Sequence, residues 1–86
     1  MTYFVYIVEC NDGTLYTGST NDVEKRIHTH NTSKNAARYT KNRRPVVLKY
    51  VEMCVSKSDA LKKEIFIKKK NREEKLELIH MHKISL

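Results

Sequence analysis

The chain has 86 residues, 40% of them hydrophobic and 31% charged, with a formal net charge of +7. That is enough to fold as one small domain, residues 1–86, near the size at which a core needs no metal or disulfide. No apolar run approaches the roughly 18 residues of a bilayer crossing, and Met1-Thr2-Tyr3-Phe4 lacks the features of a signal peptide, so a cytoplasmic location is expected.

Residues 3–10 and 14–20 are rich in β-branched and aromatic side chains and read as strands. Asn11-Asp12-Gly13 between them signals a hairpin. If all three residues form the loop, Cys10 pairs with Thr14, and Tyr6 and Tyr16 become diagonal neighbours on one face, about 7–8 Å apart at Cα. Gly18 then lies opposite Tyr6 and leaves its ring room. A two-residue loop would slip the register by one and send the tyrosines to opposite sides.

Asn21-Asp22 can cap a helix, with Glu24 as the capping-box partner of Asn21. The helix is expected to run to about residue 30, burying Val23 and Ile27, with Arg26 and His30 at i, i+4 beside that stripe. Residues 31–45 are polar and basic and predict a loop with one short turn of helix. Pro45 leads into a third strand, 46–54. Val47, Val51 and Met53 fall on one of its faces and Val46, Leu48 and Tyr50 on the other, which predicts cover on both sides.

Ser56 or Ser58 can cap a helix over 59–70 with Leu61 and Ile65 in its core stripe, and Asn71 with Glu74 resembles a capping box. A final helix over 72–80 would turn Leu76 and Ile79 inward, leaving His80-Met81-His82 as tail. The order ββαβαα predicts an α+β fold, a small three-stranded antiparallel sheet flanked by helices. Cys10 and Cys54 lie in strands without CxxC spacing, so two packed thiols are expected rather than a zinc site.

Charge is unevenly spread. Residues 25–49 hold eight of the seventeen Lys and Arg and none of the ten Asp and Glu, so the rest of the chain is nearly neutral. A one-sided basic segment attracts polyanions by releasing condensed counterions. Lys34, Arg38, Tyr39, Lys41, Arg43 and Arg44 mix cations with an aromatic and are the candidate nucleic-acid contacts. The ordinary alternative is a solvated loop. Lys68-Lys69-Lys70 and Arg72 read as a solvated helical face.

Tyr6, Tyr16, Arg26 and Glu64 combine phenols that handle protons, a guanidinium that holds phosphate and a carboxylate that holds a metal, as phosphodiester cleavage requires. Singly, the tyrosines read as packing, Arg26 as a surface charge and His30 as a solvated helix end. Glu64 beside an apolar stripe needs a partner, either a metal or a lysine such as Lys68 at i+4.

Taken together, Phe4-Val5-Tyr6, then Tyr16-Thr17-Gly18 ten residues on, then Arg26 and Glu64, resemble the GIY-YIG nuclease superfamily. The likeness spans Tyr3 to about Ile79. With Ala37-Arg38-Tyr39-Thr40, Arg43-Arg44-Pro45 and Ile67-Lys68, it extends to the small stand-alone bacterial UPF0213-like group. The resemblance implies a DNA endonuclease using one divalent ion, Mg²⁺ or Mn²⁺, with a role in repair or recombination. It implies Glu64 as metal ligand, Arg26 as ligand of the scissile phosphate, Tyr16 as leading general base with Tyr6 near the water, and His30 in support of proton transfer. A free tyrosine has a pKa of about 10, so a phenol base needs a neighbouring cation, or the proton goes to His30 instead; the choice between Tyr16 and His30 stays open.

Two positions depart from the family pattern: Ser19 stands where some members have lysine, and Leu76 where others have asparagine. The module is expected to stand without an appended DNA-binding domain, so a protein partner is expected to supply sequence specificity, and a monomer is expected. RNA is the alternative substrate. A nucleic-acid-binding module with little or no catalysis and a protein-interaction domain are the competing functions.

Overall fold

The computed structural model describes residues 2–84; Met1, Ser85 and Leu86, which the single-domain reading includes, lie outside the described residues. Strands β1 (Tyr3–Glu9) and β2 (Leu15–Thr20) form a hairpin, and β3 (Val47–Cys54) pairs antiparallel with the other side of β1. The sheet order is β2-β1-β3, with α1 (Val23–Thr32), α2 (Arg38–Lys41), α3 (Lys57–Lys68) and α4 (Arg72–Ile84) around it. This is the expected α+β architecture, with the predicted short turn realised as α2. No helix among the described residues is long and apolar enough to cross a membrane.

The hairpin takes the longer loop. Cys10 N–H donates to the Thr14 carbonyl at 2.8 Å, and Gly13 adopts φ 84°, where a side chain would be strained. Tyr6 therefore faces Gly18, and Val8 faces Tyr16. Alternation then sorts β1 into two faces. Val5 and Ile7 pack with Tyr50, Cys54, Ala60, Ile67 and Ile79 under α3 and α4, whereas Tyr6, Val8 and Cys10 pack with Val46, Ile27 and Tyr16 on the α1 side.

Strand β3 corrects one expectation. A bulge between the pairs Ile7–Tyr50 and Val8–Leu48 leaves Lys49 as the extra residue. Leu48 and Tyr50 thus face opposite sides rather than one. The predicted cover is incomplete: Val47, Leu48 and Met53 are exposed, and Leu48 and Val51 line a groove of about 610 Å³ between β3 and α1.

Helix caps follow local chemistry with one shift. Asp22, not Asn21, caps α1, accepting from the Lys25 N–H at 3.1 Å. Ser56 caps α3. Asn71 and Glu74 form the full reciprocal capping box, both bonds at 2.9 Å. Helix α3 is rotated from its expected position. Leu61 and Ile65 are exposed, while Ala60 and Ile67 are buried with Glu64 between them on the same face. Ala60 is small enough to let the helix approach the sheet, which turns the larger side chains outward. The His80-Met81-His82 segment is helical, and His82 packs edge-on against Tyr50 at 5.1 Å.

Candidate active site

The site begins at the glycine opposite Tyr6. A Cβ built on Gly18 would lie 2.5 Å from the Tyr6 hydroxyl, so only glycine leaves the ring its place. Tyr6 is 1% exposed, and its hydroxyl lies 2.8 Å from Nε2 of His30. Helix α1 delivers both His30, fully buried, and Arg26, whose positive charge acts on the Tyr6 phenol and on His30. The spacing predicted in the sequence thus brings Arg26 and His30 to the same phenol. Nδ1 of His30 lies 2.8 Å from the hydroxyl of Thr40, which donates to the Ala37 carbonyl at 3.1 Å.

Burial shifts both titrating groups away from charge. The Tyr6 phenol is pushed up to about 12 by burial, against the lowering effect of Arg26. The His30 imidazole is pushed down to about 4 by burial and then by the positive charges of Arg26 and Arg44. At neutral pH the pair is phenol and neutral imidazole.

Tyr16 sits beside this pair, its ring centroid 5.5 Å from that of His30 and edge-on to it. Tyr39 stacks on Tyr16 at 5.8 Å, and the Arg43 guanidinium lies 4.1 Å from the Tyr39 ring centroid. The histidine hydrogen bond goes to Tyr6, so the proton route through Tyr16 has no hydrogen-bonded link to His30.

Glu64 reaches the same region from α3. One carboxylate oxygen accepts from Ser19 at 2.7 Å and the other lies 2.7 Å from Nζ of Lys68. Ser19, which departs from the family pattern, is therefore the residue that orients the glutamate. Among the described residues, no group of three or more His, Cys, Asp and Glu side chains converges as a closed metal cage requires. Glu64 offers one hard carboxylate already presented to a cation. That donor fits a hydrated Mg²⁺ or Mn²⁺, which retains waters and takes further ligands from phosphate, and it does not fit zinc.

The basic segment divides on inspection. Arg43 is tied to Asp12 at 3.0 Å and to the Tyr39 carbonyl, and Arg44 donates to the His30 and Ser33 carbonyls at the end of α1. Arg44 therefore holds the helix that carries His30. Lys34, Arg38, Tyr39 and Lys41 are exposed. Lys68 and Arg72, read as solvated, are engaged with Glu64 and with the Gly13 carbonyl. Sequence reasoning missed Thr40. Its position, ten residues after His30 in a segment without periodicity, carries no signal that the two side chains meet.

Comparison with known proteins shows the family and the fold. The model of the GIY-YIG catalytic domain matches residues 2–77. A UPF0213 protein of Syntrophus aciditrophicus is 57% identical over 76 residues, covering 88% of this chain and 87% of its own. One from Staphylococcus haemolyticus is 56% identical over 77 residues, covering 90% and 93%. The solution structure of a UPF0213 protein from Bacillus halodurans superposes with a TM-score of 0.60 at 40% identity, covering 94% of this chain and 85% of that one. A protein from E. faecalis gives 0.61 at 34% identity, covering 94% and 88%. The chain therefore belongs to the GIY-YIG nuclease superfamily, within its UPF0213 group.

Proposed function

We propose that the protein is a metal-dependent endonuclease that hydrolyses phosphodiester bonds in DNA. The observation that carries this reading is the convergence of Arg26 and His30 on one buried phenol, Tyr6, with Tyr16 alongside. Hydrolysis joins a water oxygen to phosphorus and releases an alcohol oxygen. One proton leaves the water, and the released oxygen takes one from solvent water.

Arg26 holds a non-bridging phosphate oxygen and offsets charge that grows in the transition state. With its own proton bonded to His30 Nε2, the Tyr6 oxygen accepts the proton of the attacking water while His30 accepts that of Tyr6. Neither group need ionise beforehand; the burial and positive charges that lower His30 to about 4 make it a weak acceptor, which negative charge growing on the phosphate offsets. Tyr16 borders the approach of the phosphate. Glu64 would hold the divalent ion, which when bound supplies Lewis-acid charge to the phosphate and leaving oxygens. Lys34, Arg38 and Lys41 add phosphate contacts that carry no sequence information.

The test is nicking of supercoiled plasmid, branched DNA and single-stranded RNA with Mg²⁺, with Mn²⁺ and with EDTA. Metal-dependent nicking that collapses in Tyr6→Phe and Glu64→Gln, while DNA binding survives, supports the enzyme. Equal cutting by both variants and the parent would end it. A second reading, a binding module without catalysis, is favoured by one observation: Lys68 already neutralises Glu64. It predicts salt-sensitive DNA binding with no dependence on metal.

A further inference from the structure

We infer that Thr40 is a positioning residue that sets the tautomer of His30 and so the direction in which Tyr6 gives its proton. The inference rests on the site just described, but its geometry stands apart from any activity. Thr40 and His30 are fully buried and Tyr6 is 1% exposed, so water does not compete for their bonds.

The direction follows from counting donors. The Thr40 hydroxyl has one hydrogen, and the Ala37 carbonyl at 3.1 Å can only accept; we assign the hydrogen to it, beside the Thr40 and Lys41 N–H groups that this carbonyl also receives. The hydroxyl oxygen then presents a lone pair to His30 Nδ1 at 2.8 Å, so Nδ1 carries the N–H. Neutral imidazole has a single N–H, which leaves Nε2 bare to accept the Tyr6 O–H at 2.8 Å. The phenol therefore donates to His30, with the positive charge of Arg26 acting on its oxygen, and each hydrogen along this series has an acceptor.

The opposite tautomer reverses the chemistry. Nε2–H would donate to the phenol oxygen, and the Tyr6 proton would point toward substrate. Tyr6 would then be a donor to the phosphate rather than an acceptor of the water's proton. Thr40 selects between these arrangements without touching substrate.

The experiment is nitrogen-15 NMR of the imidazoles in the free protein, alongside nicking kinetics. His30 is expected to show a protonated Nδ1 and an unprotonated Nε2. Thr40→Val removes the acceptor and should shift His30 toward the Nε2–H form, with kcat falling on the order of tenfold or more at unchanged KM. Thr40→Ser should restore both the tautomer and the rate. An Nε2–H form in the parent overturns the inference, as does a parental tautomer in a folded Thr40→Val. The tautomer is read whether or not the protein cuts DNA. Absent cutting with the expected tautomer would sink the nuclease reading and leave this one standing.

Discussion

The Tyr6 hydroxyl lies 2.8 Å from Nε2 of His30, although 24 residues separate them in the chain. The bond joins the first strand to the last turn of α1 through the interior, and it ties stability to the protonation state of one imidazole.

Stability should therefore depend on pH through His30. Its imidazole titrates near 6.5 when unfolded and near 4 when folded. Between those values the unfolded chain binds a proton that the folded chain refuses, so stability rises with pH across the window. The contribution is complete above pH 6.5 and is lost as pH falls toward 4, at most about 3 kcal/mol. Urea midpoints at pH 7 and 4.5 for the parent and His30→Gln should show the larger acid loss in the parent. Equal losses would remove His30 from the account.

Gly18→Ala should damage stability and site together. The added methyl would lie 2.5 Å from the Tyr6 hydroxyl, and that ring cannot swing away without leaving His30 unpaired. A loss of about 1–3 kcal/mol is expected, as for other overpacked interiors. Denaturant melts together with the His30 nitrogen shifts would check it. An unchanged midpoint would mean that the ring relaxes freely.

Lys68→Met should tighten divalent-ion binding at Glu64. The lysine occupies one carboxylate oxygen at 2.7 Å, and its side chain is 49% exposed. A half-exposed pair is worth up to about 1 kcal/mol, so removing it should raise Mn²⁺ affinity roughly two- to fivefold. Water-proton relaxation by Mn²⁺ reads this without any cutting assay. Glu64→Gln should abolish the site, and equal affinity in Lys68→Met and the parent would show that the ion does not compete with the lysine.

Thr17→Val should stabilise the fold. Thr17 is 2% exposed, and its hydroxyl has no hydrogen-bond partner among the described residues. Replacing it with a methyl of nearly the same shape removes a stranded polar group, a gain of about 1 kcal/mol. A higher urea midpoint at unchanged slope is expected; a lower one would mean that the hydroxyl is satisfied in solution.

The sequence by itself determined the features that rest on neighbours in the chain. Asn11-Asp12-Gly13 marks the turn, and with all three residues in the loop, alternation along the two strands puts Tyr6 opposite Gly18 and diagonal to Tyr16. The capping box of Asn71 and Glu74 is equally local, and the i, i+4 spacing of Arg26 and His30 sends both to one side of α1. Such features are legible because turn chemistry and helical period act over a few residues.

Tertiary structure alone decided which face of α3 meets the sheet. Leu61 and Ile65 are more apolar than Glu64, yet close approach at Ala60 turns Glu64 inward, where Ser19 and Lys68 satisfy it. The bulge at Lys49, which separates Leu48 from Tyr50, depends likewise on how β3 seats against β1. Thr40 meets His30 only because Arg44 and the chain before β3 fold back over the end of α1. A hydrogen bond between distant segments leaves no periodicity in either one, so the partner of the histidine becomes visible only when the chain has closed around it.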